Sequence, residues 1–353
     1  MAPHSHDTAE THLVNRFTPK DIEGLLSPRA GETKIGQQVL LLDDSLSFSN
    51  ALLKAKANGA RFVLLGVGED IGPRANLGRG GATDAFEPSI KQFINLQSNR
   101  FLNGNEIVIA GQVHTADLQL SSDTPVELLR DQVALLDERV IAVATLIMDA
   151  ELEPIVIGGG HNNAFGLLMA TKASTGKAAA AVNLDPHSDF RLREGRHSGN
   201  GFSYAAANGA LDHYHVLGLH ELKNSEANLA QLSAFGGSWH SLQSIWIRRE
   251  IELAHALKSI AKGLNNTQLP VALELDLDAI SHMPTSAMTA AGVPLLDAAY
   301  YVNYIASHCP CQYFHIAEAA PACHEASLAA GYREVGQSIS ELIYAYVQGR
   351  LQA

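Results

Sequence analysis

The stretch Ala179-Ala-Ala-Val-Asn-Leu-Asp185-Pro-His187-Ser-Asp189 joins a nearly apolar run to two acids and a histidine. The run lacks the polar and apolar alternation of a half-exposed strand, so it is typical of a strand buried on both faces. If the extended chain continues past Leu184, the alternating positions of Asp185, His187 and Asp189 project to one side. This stretch therefore predicts a central strand that delivers three possible metal ligands to one end of a sheet.

Short apolar runs of this kind recur along the chain and alternate with helical patterns. Strands are predicted at residues 38–42, 61–67, 106–109, 154–157, 179–184, 213–217, 244–247, 271–277 and 313–316. Helices are predicted at residues 47–58, 125–150, 163–173, 224–235, 250–263, 295–307 and 337–348. This alternation favours an α/β fold with one parallel sheet and helices on both faces. In such folds the chemistry lies outside the carboxyl ends of the strands.

The composition of the chain argues against several classes of protein. Hydrophobic residues make up 46% of the 353 residues, which is enough for a large core. No apolar run reaches the roughly 18 residues of a transmembrane helix, so we expect no membrane partner. The net charge of −12 disfavours a nucleic-acid partner, because phosphate binding requires a basic surface.

The chain begins with a polar segment and carries few cysteines. Residues 1–11 include His4 and His6 and lack the apolar stretch of a signal peptide. We predict that residues 1–20 form a flexible tail. The cysteines are Cys309, Cys311 and Cys323, an odd number late in the chain. They argue against a disulfide framework, so we expect a reducing, cytoplasmic location.

Three further predicted strands end in acids or histidine. The run that begins at Pro154 ends at His161, the run from Val271 ends at Asp276 and Asp278, and the run from Tyr313 ends at Glu318. Carboxylates this dense raise one another's pKa unless a cation neutralises them. Oxygen-rich sites suit hard ions such as Mn²⁺ better than Zn²⁺. Six candidate ligands exceed what one ion needs, so we predict a pair of ions bridged by carboxylates.

Any one of these motifs alone has a simpler interpretation. Asp is common at strand-to-helix turns and helix caps, so Asp185-x-His187-x-Asp189 by itself favours turn chemistry. Four such strand ends together favour a metal site. The run Gly158-Gly-Gly160 lacks the sequence of a phosphate-binding loop, and we expect it to let the backbone approach the metal site closely.

These motifs, in this order, resemble the signature of the ureohydrolase superfamily, which includes arginases, agmatinases and formimidoylglutamases. The matching elements are Gly-Gly-Gly-His161, Asp185-x-His187-x-Asp189, Asp276-x-Asp278 and Glu318-x-x-Pro321. The resemblance implies a three-layer α/β/α sandwich around a parallel sheet of roughly eight strands. It also implies a single arginase-like catalytic domain over residues 21–353 and assembly as a homo-oligomer.

The resemblance further implies two Mn²⁺ ions per subunit and a role for each ligand. The first ion would be bound by His161, Asp185, Asp189 and Asp276, and the second by His187, Asp185, Asp276 and Asp278. A hydroxide between the ions would be the nucleophile, because two Lewis acids lower the pKa of water. Asp278 would relay a proton to the leaving nitrogen, and His187 would also take part in catalysis. Glu318 would bind the cationic C–N group of the substrate.

Three departures from arginases and agmatinases resemble formimidoylglutamases. Ser198-Gly199 stands where those enzymes carry a His-Gly pair, and Arg191 follows Asp189 by two residues, where arginases have Asn. The loop Asn76-Leu-Gly-Arg79 is similar to a loop near the formimidoylglutamase active site. The implied substrate-binding residues are Asn76, Arg79, Arg191, Ser198 and Gly199. Arginine suits bidentate binding of a carboxylate.

The resemblance therefore implies hydrolysis of N-formimidoyl-L-glutamate to L-glutamate and formamide, a step of histidine degradation. Two alternatives remain open. The first is a guanidino-compound hydrolase that releases urea, and the second is a non-catalytic member with a regulatory role.

Overall fold

Ten strands form one sheet in the computed structural model, which describes residues 13–353. The strands are β1 (Val14–Arg16), β2 (Leu40–Leu41), β3 (Phe62–Gly66), β4 (Ile107–Val113), β5 (Glu153–Ile157), β6 (Ala179–Leu184), β7 (Leu211–Leu219), β8 (Ser238–Ser241), β9 (Val271–Asp276) and β10 (Cys311–Ala317). Their order is β1-β4-β3-β5-β10-β9-β6-β7-β8, and β2 also pairs with β4.

The eight strands from β4 to β8 in this order are parallel to their neighbours. Strand β1 is antiparallel to β4, and the two-residue β2 is parallel to it. The predicted parallel α/β sheet is thus confirmed. The short strands β1 and β2 beside β4 raise the number of strands from the expected eight to ten.

Helices cover both faces of this sheet. They are α1 (Pro19–Leu25), α2 (Phe48–Ala57), α3 (Ile71–Ala75), α4 (Phe86–Ile94), α5 (Val126–Asp149), α6 (Asn163–Thr175), α7 (Gly201–Ala207), α8 (Glu226–Phe235), α9 (Leu253–Thr267), α10 (Leu295–His308) and α11 (Leu328–Gln352). Alternate residues of one strand enter different hydrophobic cores: Phe62 and Leu64 pack in one, Val63 and Leu65 in the other. Two cores separated by a sheet confirm the three-layer arrangement. No helix within residues 13–353 is long and apolar enough to cross a bilayer.

The predicted strand at residues 244–247 is wrong. This segment lies in a π-helical turn, Gln243–Ile247, and the edge strand β8 precedes it. Trp246 turns its indole to Asp297, with Nε1 donating to Oδ2 at 2.8 Å, and of the turn only Ile245 is buried. A short apolar run cannot be distinguished from a helical turn by its periodicity, so the β-branched and aromatic content misled the prediction.

The predicted tail of residues 1–20 is too long. Residues 1–12 lie outside the described part of the chain, but Val14–Arg16 pairs with β4. Helix α1 begins directly afterwards, where the Thr18 hydroxyl accepts the Asp21 N–H and Asp21 accepts the Thr18 N–H. This reciprocal cap stabilises a helix start, so residues 14–16 and 19–25 belong to elements of the fold.

Four central strands, β5, β10, β9 and β6, lie side by side. In sequence, they are followed by His161, Glu318, Asp278 and Asp185, respectively. Because these strands are parallel, their carboxyl ends meet at one edge of the sheet. The fold therefore gathers the predicted ligands from distant parts of the chain at one place.

Candidate metal centre

His161 stands at the centre of a first buried cluster. Its Nδ1 lies 3.1 Å from Asp189 Oδ2, 3.3 Å from Asp276 Oδ2 and 3.4 Å from Asp185 Oδ2. One ligand atom from each of these four residues lies within 4.8 Å of all the others. One histidine nitrogen and three carboxylate oxygens at this spacing form a donor set for a divalent cation.

A second cluster shares a residue with the first. His187, Asp276 and Asp278 offer ligand atoms within 4.8 Å of one another. His187 Nδ1 also lies 3.4 Å from Asp185 Oδ1 and 3.9 Å from Asp278 Oδ2. Asp276 belongs to both clusters, as a bridging carboxylate must. The structure thus brings together all six predicted ligands.

Backbone N–H groups fix the carboxylates at the strand ends. Asp185 Oδ1 accepts the His187 N–H at 2.6 Å, and Asp276 Oδ1 accepts the Asp278 N–H at 2.7 Å. Glu318 Oε1 accepts the His161 N–H at 2.8 Å. Asp189 and Glu318 have φ angles of 45° and 67°. Left-handed backbone is uncommon outside glycine and is found preferentially at functional sites. Here it occurs at Asp189, which is a residue of the first cluster, and at Glu318, which is bonded to His161.

The electrostatics of the six residues fit a cation. Burial raises the pKa of Asp276 well above its usual value, and repulsion from Asp278 and Asp185 raises it further. Burial opposes protonation of His187, yet the hydrogen bond to Asp185 raises the His187 pKa to about 10. Asp278 Oδ1 is buried without a hydrogen-bond partner among the described residues. An orphaned carboxylate oxygen among crowded acids is satisfied by a metal ion, so the donor set fits two divalent ions.

A second layer of polar side chains, which the sequence analysis missed, supports these ligands. Glu274 Oε2 lies 3.3 Å from His161 Nε2 and 2.7 Å from His315 Nδ1, and Tyr313 donates its hydroxyl to Glu274 Oε1 at 2.5 Å. Asn183 donates to Asp185 Oδ2 at 2.9 Å. Such partners orient metal ligands. The signal was present: Glu274 and Asn183 each stand two positions before a ligand, on the same side of an otherwise apolar strand.

A cavity of about 270 Å³ opens onto the cluster. Its lining includes the ligands His187, Asp189, Asp276 and Asp278, together with Glu318 and the predicted substrate-binding residues Asn76, Arg191 and Ser198. Asn76 connects the last two: its Oδ1 accepts from Arg191 Nη1 at 2.6 Å, and its Nδ2 donates to Ser198 Oγ at 3.3 Å. The structure therefore joins these three residues in one chain of hydrogen bonds beside the acids.

Two other predicted substrate-binding residues do not line this cavity. Arg79 is exposed, and its guanidinium donates to the carbonyl of Ser286 at 2.9 Å. Gly199 packs behind Arg191, whose N–H it accepts at 3.1 Å. A Cβ added at Gly199 would lie 2.9 Å from Arg191 Cδ and 3.0 Å from Asn76 Nδ2. Both residues therefore support the cavity from outside its lining. The absence of a side chain at Gly199 leaves room for Arg191, and Arg79 holds the backbone of Ser286, which lines the cavity.

The chain belongs to the arginase family, whose family model matches residues 60–335. A formimidoylglutamase of Chromobacterium violaceum is 29% identical over 245 residues, which are 67% of this chain and 71% of that protein. A formimidoylglutamase of Streptococcus pyogenes is 26% identical over 290 residues, 78% of this chain and 83% of that protein.

Solved structures share this fold. The formimidoylglutamase of Bacillus subtilis superposes with a TM-score of 0.72 at 15% identity, covering 92% of this chain and 93% of that one. A Trypanosoma cruzi formiminoglutamase solved with Mn²⁺ gives a TM-score of 0.67 at 19% identity, covering 85% of this chain and 97% of that one. These likenesses establish the arginase fold.

Proposed function

We propose that this chain is a binuclear manganese hydrolase of a linear amidine. The proposed substrate is N-formimidoyl-L-glutamate, which water converts to L-glutamate and formamide in histidine degradation. The observation that carries the proposal is the pair of ligand clusters that share Asp276. Support also comes from the relatives named formimidoylglutamase and from the similar T. cruzi enzyme with Mn²⁺.

In this proposal the six ligands form two sets that overlap at Asp185 and Asp276. His161, Asp185, Asp189 and Asp276 would hold the first, and His187, Asp185, Asp276 and Asp278 would hold the second. Two such ions would supply Lewis-acid chemistry at the site, which lowers the pKa of water so that hydroxide is available near neutral pH. The buried walls of the cluster exclude other water, which strengthens every charge interaction within it.

The surrounding side chains position the substrate and move protons. Glu318 lines the cavity, where its carboxylate pairs with the amidinium of the substrate. Water adds to the formimidoyl carbon, and the bond between that carbon and the glutamate nitrogen then breaks. Asp278, which lines the cavity, carries a proton to the departing nitrogen. Arg191 binds a substrate carboxylate through the guanidinium N–H groups that Asn76 does not use.

A substrate panel tests this function. Purified protein loaded with Mn²⁺ is incubated separately with N-formimidoyl-L-glutamate, arginine and agmatine, and formamide and urea are measured. We expect formamide from the first compound only. Urea without formamide would instead identify a guanidino hydrolase, and absence of both products would favour the non-catalytic alternative.

Replacing Arg191 by alanine should weaken the use of a carboxylate-bearing substrate. Loss of a charge-assisted hydrogen bond costs roughly 1.5–3 kcal/mol, and the exposed position of Arg191 places the effect near the lower limit, about tenfold in KM. The measurement is steady-state kinetics with N-formimidoyl-L-glutamate, beside Arg333→Ala as an exposed arginine outside this cavity. An unchanged KM in the Arg191 variant contradicts the assigned role.

Replacing Glu274 by glutamine should weaken Mn²⁺ binding without unfolding the chain. The amide retains one oxygen for the two histidines, but loses the charge that orients the His161 ring. Changes in such supporting residues cost about 10–100-fold in metal affinity. Titration against a competing chelator measures this affinity, and thermal unfolding of the metal-free protein provides the structural control. Equal affinity in both proteins would show that Glu274 has no part in holding His161.

We also propose a cytoplasmic homo-oligomer. Cys309, Cys311 and Cys323 are free thiols, which fits a reducing compartment. Light scattering of the purified protein measures the number of subunits.

A further inference from the structure

Lys223 is a second cation in the lining of the cavity that contains Arg191. It lies in the loop after β7, and its ammonium group has no ion-pair or hydrogen-bond partner in the described range, residues 13–353. Burial raises the pKa of Asp278, and the charge of Lys223 is close enough to lower that pKa in part. An unpaired lysine that faces the proposed reaction site is available to a ligand.

The loop that carries Lys223 is fastened to the metal-binding loop. The amide side chain of Asn224 accepts the Ser188 N–H at 2.8 Å and donates to the Pro186 carbonyl at 3.0 Å. The His220 N–H donates to the same Pro186 carbonyl at 2.9 Å. Pro186 and Ser188 lie between the proposed ligands, so the base of Lys223 keeps a fixed position relative to the metal centre. The flexible side chain of Lys223 therefore starts from a backbone position that is set relative to the metal loop.

Other arginines near the site are occupied within the fold. Arg74 donates to the Leu120 carbonyl at 2.8 Å and lies 3.5 Å from Asp70 Oδ1. Arg196 is buried, with its Nε 2.7 Å from Asp137 Oδ2. Arg191 uses one guanidinium nitrogen on Asn76 and keeps the others free. In this cavity, Arg191 and Lys223 are therefore the cations with donors to spare.

The charges of the cavity specify a complementary substrate. In the proposed function the carboxylates of Asp185, Asp189, Asp276 and Asp278 hold the two ions, and Glu318 pairs with the amidinium, so no acid in the cavity lining is left to pair with a cation. Arg191 and Lys223 then remain, and two substrate carboxylates would pair them. Agmatine brings no carboxylate, and arginine brings one carboxylate together with an ammonium group that Lys223 repels. A ligand that leaves Arg191 or Lys223 unpaired, or that brings a positive charge to Lys223, binds less favourably than one with two carboxylates.

We propose that Lys223 binds a second substrate carboxylate and that the site is specific for amidines of dicarboxylic amino acids. This inference rests on the proposed function and deepens it, because it assigns a residue to each of two carboxylates. Lys223 is a specificity-determining residue in this account.

The test uses ligand binding as well as turnover. The full chain loaded with Mn²⁺ is prepared as wild type, Lys223→Met, Lys223→Arg and Lys262→Met, the last being an exposed lysine on α9. Calorimetry measures the affinity for L-glutamate, the dicarboxylate product, and for L-glutamine and L-isoglutamine, which each lack one carboxylate. Kinetics use the N-formimidoyl derivatives of the same three compounds.

We expect Lys223→Met to weaken L-glutamate binding about tenfold, as for loss of one charged hydrogen bond. It should weaken only one of the two monoamides, while Lys223→Arg retains most of the affinity and Lys262→Met all of it. KM for the dicarboxylate substrate should rise by the same factor with kcat little changed.

Equal loss for all three ligands, or no loss for L-glutamate, overturns the role of Lys223. Because binding is measured directly, this result does not depend on catalysis. Wild-type protein that binds L-glutamate through Lys223 yet releases no formamide would overturn the proposed reaction alone.

Discussion

Replacing Asp276 by asparagine should abolish amidine hydrolysis and prevent binding of the pair of Mn²⁺ ions. Asp276 contributes to both ligand clusters, so its loss weakens both sites at once. The fall in turnover should exceed the roughly 10–100-fold effect of a residue that only orients a ligand. Metal analysis and the formamide assay measure the two effects on the same sample.

The fold should survive this change. Asparagine keeps the oxygen that accepts the Asp278 N–H, a contact of 2.7 Å. The change also removes one charge from a buried group of acids that repel one another. We expect the metal-free variant to unfold at the same temperature as metal-free wild type or at a higher one. Added Mn²⁺ should raise the unfolding temperature of the wild type more than that of the variant. Asp212→Asn, at an exposed site on β7, should behave as wild type. Two ions and full turnover in the Asp276 variant would refute the bridging role.

Replacing Glu318 by glutamine should lower kcat/KM by about 10²- to 10³-fold and leave the metal count unchanged. Breaking a buried charge pair costs about 2–5 kcal/mol, and each 1.4 kcal/mol is a factor of ten. Glu318 is only 4% exposed and lines the cavity, but it belongs to neither ligand cluster. Glutamine can still accept the His161 N–H, which anchors the side chain at 2.8 Å.

The measurement pairs kinetics on N-formimidoyl-L-glutamate with metal analysis of the same preparation. Glu341→Gln, an exposed change on α11, is the control. If the Glu318 variant loses metal together with activity, the residue supports the metal centre and its assignment to the substrate is wrong.

The strand ends were predictable because burial and chemistry coincide there. Strands buried on both faces have continuous apolar sequences, so Asp185 and Asp276 stand out directly after them. Parallel strands then bring these ends to one edge of the sheet, and the contacts around His161 follow from the fold. The edges of the sheet were harder. At the π-helical turn, Trp246 bonds to Asp297 from a distant helix, a tertiary contact that no local pattern encodes.

The substrate side of the site was only partly predictable. Arg191 and Ser198 follow the metal-binding motif closely in sequence, and the structure places both in the cavity lining. Lys223 escaped notice because it lies in a separate loop among polar residues, where an exposed lysine is ordinarily only solvated. Its relation to the metal loop depends on the Asn224 amide, and side-chain to backbone bonds across 36 residues leave no periodic signal.

The most direct test of a binuclear centre is a count of bound ions. Protein stripped with chelator, reloaded with Mn²⁺ and freed of excess ions by gel filtration is analysed by plasma mass spectrometry against protein concentration. Six donors arranged in two clusters with Asp276 in common predict two Mn²⁺ per chain. A value of one or none, with the chain folded, would contradict the paired site on which the proposed hydrolysis depends.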